Sequence, residues 1–254
     1  MRVEDLDRVR EGSEARQLAD LHAIGLDWDG PIVRQSERTA LYDDAIARLT
    51  AAGLTYECFC TRREILEAAS APHAPAGAYP GTCRNLTETQ KASKTRRPAL
   101  RLRAEFTEFA VDDIVVGEFR GLVDDVVLRR VDGVPAYNLA VVVDDGTQGI
   151  DQVVRGDDLL TSAPRQAYLA SLLGMPAPTY AHVPLALNSQ GQRLAKRDGA
   201  VTLEDQAAMG LGAPDVLSVI AQSLEMAAPG ELVTAETLLE RWDPAALPRS
   251  PWIF

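Results

Sequence analysis

Helical and strand-like segments alternate along most of this chain, and this alternation constrains its fold more than any other feature. Residues 2–7 alternate apolar and charged side chains like the end of a strand. A helical pattern then starts with Ser13 as a candidate N-cap and stops at Gly25. A second helical pattern runs from Ser36 to Gly53 and leads into the strand-like run LTYECFC. Such alternation predicts an α/β domain.

The middle of the chain is rich in strand-like segments, which predicts an insertion into that domain. Thr61 and Glu64 form a capping-box pattern, so a helix should begin just after Cys60. The Asp-Gly pair in RRVDGVPAY is typical of a tight hairpin. Strands are predicted at 99–103, 114–119 and 125–131.

Beyond the insertion the patterns are mainly helical. The run NLAVVVDD is so apolar that periodicity leaves strand and helix open. SAPRQAYLASLLG has Ser162 near a cap, Pro164 in the first turn and Gly174 after the end, which predicts a helix. Further helices are predicted beyond Leu203, mainly at 213–226 and 234–242.

Composition limits the class of protein. The 254 residues are 46% hydrophobic and 25% charged, as in an ordinary globular chain. No apolar run approaches the roughly 20 residues that a membrane helix needs, and three cysteines fit a reducing compartment, so we expect a cytoplasmic protein and no membrane partner. The net charge of −11 argues against nonspecific coating of nucleic acid. The basic stretch 91–103 is either a specific nucleic-acid contact or a solvated loop.

Three cysteines and a tyrosine form a candidate metal site. Cys58, Cys60, Tyr79 and Cys83 have the order C-x-C followed, after a loop, by Y-x-x-x-C. Three thiolates and one oxygen donor suit tetrahedral zinc, although His73 competes as the fourth ligand. The alternative is three buried, reduced cysteines without a metal.

Four other residues have chemistry suited to binding an anionic or zwitterionic substrate. Lys196 lies in the basic loop RLAKRDG and could reach a polyphosphate, although most loop lysines only contact solvent. Arg155 follows an apolar strand, where a guanidinium can bind a carboxylate bidentately. Glu4 and Tyr137 add an acid and a hydroxyl, and together with Arg155 they could bind an amino acid.

Taken together and in order, these motifs resemble the glutamyl-queuosine tRNA(Asp) synthetases, short paralogues of glutamyl-tRNA synthetase. The resemblance covers nearly the whole chain. It rests on RVEDLDRVREGS, CFCTRREI, AYPGTCR, AYNLAVVVDDGTQGIDQVVRGDDLL, PRQAYL, HVPLALNSQGQRLAKRDGA and PWIF.

The resemblance implies a Rossmann-type class I synthetase core with an inserted zinc-containing α+β region and a short helical C-terminal part. It divides the chain into core residues 1–57, an acceptor-stem-like insertion at 58–133, further core at 134–203 and the helical part at 204–254. It also implies that the protein activates L-glutamate with ATP and Mg²⁺, without tRNA, and transfers it to the queuosine base of tRNA(Asp). We expect a monomer.

The resemblance also assigns residue roles. Glu4, Tyr137 and Arg155 match the family's glutamate-binding positions, and Lys196 matches the second lysine of its KMSKS-type ATP loop. The family's zinc ligands match the three cysteines and Tyr79, which favours Tyr79 over His73.

Two departures from the family pattern bear on activity. The ATP loop reads RLAKR, so it has one lysine where the family pattern often has two, although arginine preserves the positive charge. The family's first strand and HIGH-type loop, which contact substrate and ATP, do not appear in these 254 residues, so we expect this chain to be a poor enzyme. The alternatives are an inactive tRNA-binding or interaction paralogue and a fragment of a conventional glutamyl-tRNA synthetase.

Overall fold

The computed structural model describes residues 1–6, 11–69, 79–105, 107–194 and 202–254. By spatial contact the chain forms two compact units. The first unit contains Met1–Val33, Arg155–Asp158 and His182–Phe254, and the second contains Arg34–Val154 and Leu159–Ala181. The four domain ranges that the sequence suggests stay predictions. None of the helices in the described ranges is long and apolar enough to cross a membrane.

Helices and strands alternate in the described residues, as the sequence predicts. The helices are α1 Ser13–Ala23, α2 Thr39–Ala51, α3 Arg62–Ala69, α4 Glu88–Ala92, α5 Tyr137–Gln148, α6 Ala163–Leu172, α7 Leu203–Ala208, α8 Ala213–Ser223 and α9 Ala235–Arg241. The strands are β1 Arg2–Val3, β2 Val33–Arg34, β3 Thr55–Cys58, β4 Ala99–Leu102, β5 Glu108–Asp113, β6 Gly117–Leu122, β7 Val127–Arg129, β8 Gln152–Gly156, β9 Thr179–Val183, β10 Ala186–Leu187 and β11 Trp252–Ile253.

Two sheets organise most of the strands. One has the order β3-β4-β7, with β4 antiparallel to both neighbours, and the other has the order β6-β5-β9-β8. In the first sheet Tyr56 lies opposite Arg101 and Cys58 lies opposite Ala99. Because side chains alternate between the faces of a strand, Tyr56, Cys58 and Arg101 share one face. This register brings a cysteine and a cation to the same side of the sheet.

Each unit has its own apolar core. In the second unit Val111, Ala163, Ala167 and Tyr180 are buried together, so α6 packs on β5 and β9. In the first unit Leu217 and Ala221 of α8 pack with Val233. The closing strand β11 pairs in parallel with β10.

Several local predictions are confirmed by the structure. The Thr61 amide donates to Glu64 Oε2 at 2.6 Å and the Glu64 amide donates to Thr61 Oγ1 at 3.0 Å, so the capping box forms. Gly133 adopts a left-handed φ of 89°, and the Arg130 amide donates to the Val134 carbonyl at 2.9 Å, which closes the predicted hairpin. The undecided run NLAVVVDD is helix α5.

Three predicted boundaries are wrong. The strand predicted at 114–119 begins only at Gly117, in β6. Residues 114–116 are the turn between β5 and β6, in which the Asp113 carboxylate accepts from the amides of Val115 and Val116 at 2.8 Å each. The N-cap of α1 is Gly12 rather than Ser13. The segment after Ser36 begins as a 3₁₀ turn at Gln35–Arg38, and α2 follows it.

Candidate functional site

Three cysteines and one tyrosine of the second unit come together, as the sequence predicts. The Sγ atoms of Cys58, Cys60 and Cys83 all lie within 4.8 Å of one another. The Tyr79 Oη lies 3.3 Å from Cys58 Sγ and 3.6 Å from Cys60 Sγ, and the two sulfurs of Cys60 and Cys83 are 3.5 Å apart. Cys58, Cys83 and Tyr79 are buried.

Local structure explains this convergence. Cys58 ends β3, and the capping box at Thr61 starts α3 three residues later, so the chain must turn at Cys60. On the other side, Gly81 has a left-handed φ of 76°, and the Cys83 amide donates to Tyr79 Oη at 2.9 Å. The two halves of the motif thus present their side chains to each other.

Three distances among these four atoms are close to those of a tetrahedral zinc site. With Zn–S bonds of about 2.3 Å and a Zn–O bond of about 2.0 Å, the edges of the tetrahedron are about 3.8 Å between sulfurs and about 3.5 Å between sulfur and oxygen. The Cys60–Cys83 distance of 3.5 Å and the two Tyr79 distances of 3.3 and 3.6 Å lie close to those edges. The competing His73 lies outside the described residues.

The electrostatics of the four groups follow from burial and from one another. Burial raises the pKa of the Cys58 thiol, but hydrogen bonds with Tyr79, the Cys60 backbone and Arg101 outweigh it and lower the pKa overall. Burial raises the pKa of Cys60 to about 11. Burial also raises the pKa of Tyr79 far above its ordinary value. A dication among them would favour the deprotonated forms.

Arg101 of β4 lies against this cluster and was not singled out as a site residue by the sequence. Its guanidinium carbon lies 3.7 Å from the centroid of the Tyr79 ring, and its Nη1 donates to the Asp125 carbonyl at 2.6 Å. Arg101 is 7% exposed. The signal that could have found it is strand register, because Arg101 lies opposite Tyr56 and on the same face as Cys58.

The residues predicted to bind glutamate lie in both units. Glu4 follows β1 in the first unit, and its Oε1 lies 3.2 Å from Arg2 Nη2. Arg155 lies in β8, where its Nε donates to Nε2 of the buried His182 at 3.0 Å. Tyr137 is the first residue of α5 in the second unit and is half exposed. Their convergence on one ligand stays a prediction.

His182 was not singled out by the sequence. It is 1% exposed in β9, and accepting from Arg155 requires Nε2 to be unprotonated, with the ring proton on Nδ1. This hydrogen bond fixes the orientation of the Arg155 guanidinium.

A short hairpin at residues 188–192 precedes the predicted ATP loop. The Asn188 carboxamide accepts from the amides of Gln190 and Gln192 at 3.1 and 2.9 Å, and the Asn188 amide donates to the Gln192 carbonyl at 2.7 Å. Arg193 then pairs with Asp158 at 2.6 Å. Lys196 lies outside the described residues, and its role stays a prediction.

Comparison with known proteins defines the class. The catalytic-domain model of the class I tRNA synthetases (E and Q) matches residues 1–254, and the chain therefore belongs to this family of ligases. The glutamyl-Q tRNA(Asp) synthetase of Nocardia farcinica is 64% identical over 258 aligned residues, which cover 100% of this chain and 81% of the relative. The protein of that name from Cutibacterium acnes is 52% identical over 92% of this chain and 69% of the relative.

Solved structures support the same fold. A glutamate tRNA ligase from Elizabethkingia meningosepticum, in complex with its amino acid, superposes with a TM-score of 0.73 at 24% identity. The match covers all of this chain and 59% of that ligase, so this chain spans about six tenths of its length. At this identity the likeness shows a common fold.

Proposed function

We propose that this protein activates L-glutamate with ATP and Mg²⁺, without tRNA, and transfers the glutamyl group to the queuosine base of tRNA(Asp). One observation supports this most strongly. The chain is 64% identical, over its whole length, to a relative named for glutamyl-Q and tRNA(Asp).

The proposed chemistry relies on positioning and charge neutralisation. Arg155, held through Nε by His182, binds a glutamate carboxylate, Tyr137 orients the substrate and Glu4 faces its ammonium group. The substrate carboxylate attacks the α-phosphorus of ATP, the α–β bridging P–O bond breaks, and pyrophosphate leaves with its electron pair. Lys196 stabilises the charge that develops on the phosphate oxygens.

We further propose that Cys58, Cys60, Tyr79 and Cys83 hold one zinc ion. The measured S–S and S–O distances near the edges of a zinc tetrahedron support this assignment. Four protein ligands leave no open position, so the ion would stabilise the insertion and take no part in the reaction.

Glutamate-dependent ATP–pyrophosphate exchange without tRNA tests the activation step. We expect exchange above a blank that lacks glutamate, and R155M should lower kcat/KM by about 100-fold because the substrate loses its carboxylate partner. R120A is the matched control, since Arg120 is an exposed residue of β6 outside the proposed site. Exchange that does not depend on glutamate would contradict the proposal.

The nucleic-acid substrate is tested separately by charging with radiolabelled glutamate. We expect label on tRNA(Asp) that carries queuosine and none on the same tRNA without the modified base. Labelling of tRNA(Glu) instead would assign a conventional glutamyl-tRNA synthetase activity and overturn the transfer step.

A further inference from the structure

Arg101 carries a buried charge for which the protein provides no carboxylate partner among the described residues. The residue is 7% exposed, its Nη1 donates to the backbone carbonyl of Asp125, its guanidinium hydrogen-bonds to Cys58, and its Nε is buried without a hydrogen-bond partner. Burying a cation without an opposite charge is costly. Some other negative group should therefore lie beside it.

The nearby carboxylates are each matched by another arginine. The Asp125 carboxylate, which is also buried, accepts from Arg84 Nη1 at 2.5 Å. The Asp124 carboxylate lies 3.1 Å from Arg165 Nε. Each of these pairs is neutral by itself, so neither aspartate carries an unmatched negative charge for Arg101.

The group that faces Arg101 is the predicted zinc cluster. Its guanidinium lies 3.7 Å from the centroid of the Tyr79 ring, and strand register puts it on the same face as Cys58. One Zn²⁺ with three thiolates carries a net charge of −1, and ionising the phenol as well makes it −2. The metal-loaded cluster therefore supplies a negative charge beside Arg101.

We propose that Arg101 is the counter-ion of the zinc-loaded Cys58-Cys60-Tyr79-Cys83 cluster and that its charge increases zinc affinity. This inference rests on the proposed zinc site. The guanidinium stacks on the ligand ring by a cation–π contact. This contact strengthens if the phenol ionises when it binds the metal, because a phenolate ring is richer in electrons than a phenol ring. Mutating a residue that contacts a metal ligand, but not the metal itself, typically lowers metal affinity by roughly 10- to 100-fold.

Zinc affinity of R101M and R101K, measured by competition with a chromophoric chelator, tests the proposal. We expect R101M to bind zinc roughly 10- to 100-fold more weakly than the wild type. R101K keeps the charge but not the planar stack, and it should recover part of the loss. The control is R103M, because Arg103 directly follows β4 and its guanidinium lies 5.1 Å from the ring of Tyr56, which is not a ligand.

Stability measurements separate a charge effect from a folding defect. Thermal unfolding of R101M should show a loss of stability in the zinc-loaded protein and a smaller loss, or none, in the zinc-stripped protein, where the charge of the metal-loaded cluster is absent. Equal losses in both forms would make Arg101 merely structural and overturn the inference.

The outcomes also distinguish this inference from the zinc site itself. If the wild type binds no zinc, the proposed metal site fails and the inference fails with it. If the wild type binds zinc and the zinc affinity of R101M is within threefold of the wild-type value, only the role of Arg101 is overturned. Cobalt substitution gives an independent readout, because R101M should shift the ligand-to-metal absorption bands and R103M should leave them in place.

Discussion

Asp144 is a fully buried carboxylate on α5, and three donors hold it. Its oxygens accept from Arg38 Nε at 2.7 Å, from Gln35 Nε2 at 2.9 Å and from the Tyr42 hydroxyl, which lies 3.0 Å from both oxygens. Burial, together with the Asp144 charge, raises the pKa of Tyr42, so its hydroxyl stays protonated and donates. This network ties the helix that begins at Tyr137 to α2.

Replacing Asp144 by asparagine tests how much this network contributes. D144N leaves the buried part of Arg38 without a counter-charge, so the free energy of unfolding should fall by about 3 kcal/mol. Urea unfolding monitored by circular dichroism measures the change. D151N is the control, since Asp151 is exposed and its loss should change stability by less than about 0.5 kcal/mol. A small effect of D144N would show that the network is energetically neutral.

At single residues, sequence reasoning found groups with distinctive chemistry and missed buried polar partners. The spacing of Cys58, Cys60 and Cys83 is informative because few functions other than metal binding need such a pattern. Asp144 was missed because it ends an apolar run that reads equally well as strand or helix. Arg101 and His182 contact other proposed site residues, and these contacts become visible only once the pairing of the strands is known.

At the scale of elements, caps and turns were predictable where side chains decide them locally. The Thr61–Glu64 capping box and the Asp-Gly hairpin were both readable because their hydrogen bonds join residues close in sequence. The turn at 114–116 was not, since Ile114 and Val116 are apolar residues that favour strands yet are about half exposed here. The turn is fixed by Asp113 and by Gly117, whose φ is +88°.

The capping box at α3 gives a pH prediction. Hydrogen bonds from the backbone amide and then the side chain of Thr61 hold the pKa of Glu64 below its ordinary value of 4.5. The cap's contribution to stability should therefore be complete above pH 4.5 and be lost as the pH falls through the lowered pKa. NMR titration of the Glu64 carboxyl carbon measures this pKa directly.

The control for that titration is the variant T61A. Removing the hydroxyl should move the Glu64 pKa part of the way back toward 4.5, because the backbone amide of residue 61 still donates. A Glu64 pKa at or above the ordinary value in the wild-type protein would show that the box does not persist in solution.

At the scale of the whole molecule, the negative net charge restricts where RNA can bind. The chain carries −11, yet the stretch 91–103 is basic, and within it Arg101 and Arg103 make bonds inside the protein. The side chains of Lys94, Arg96 and Arg97 are exposed. If tRNA binds as proposed, this segment is the natural contact for its phosphates.

We expect the double variant R96A/R97A to bind tRNA(Asp) more weakly and to lower the slope of log affinity against log salt by about 1 to 2. Glutamate-dependent pyrophosphate exchange should stay at the wild-type rate, because the proposed activation step needs no tRNA. R120A again provides the control. An unchanged salt slope would assign the basic stretch to solvent contact only.

The division into units also marks the limit of sequence reasoning about this molecule. The alternation of helices and strands correctly predicted an α/β chain. It did not reveal that Arg155–Asp158 and His182–Phe254 group with Met1–Val33, because such grouping depends on contacts between residues far apart in sequence. Sequence periodicity reports which face of an element is buried and not which distant element covers it.

The discontinuity of the first unit has a consequence for biosynthesis. Its N-terminal segment, Met1–Val33, leaves the ribosome roughly 150 residues before His182, where its largest companion segment begins. At translation rates of about 5 to 20 residues per second, that segment waits roughly 7 to 30 s for its largest companion. During this interval the second unit is already emerging, so Met1–Val33 is synthesised well before most of its own unit exists.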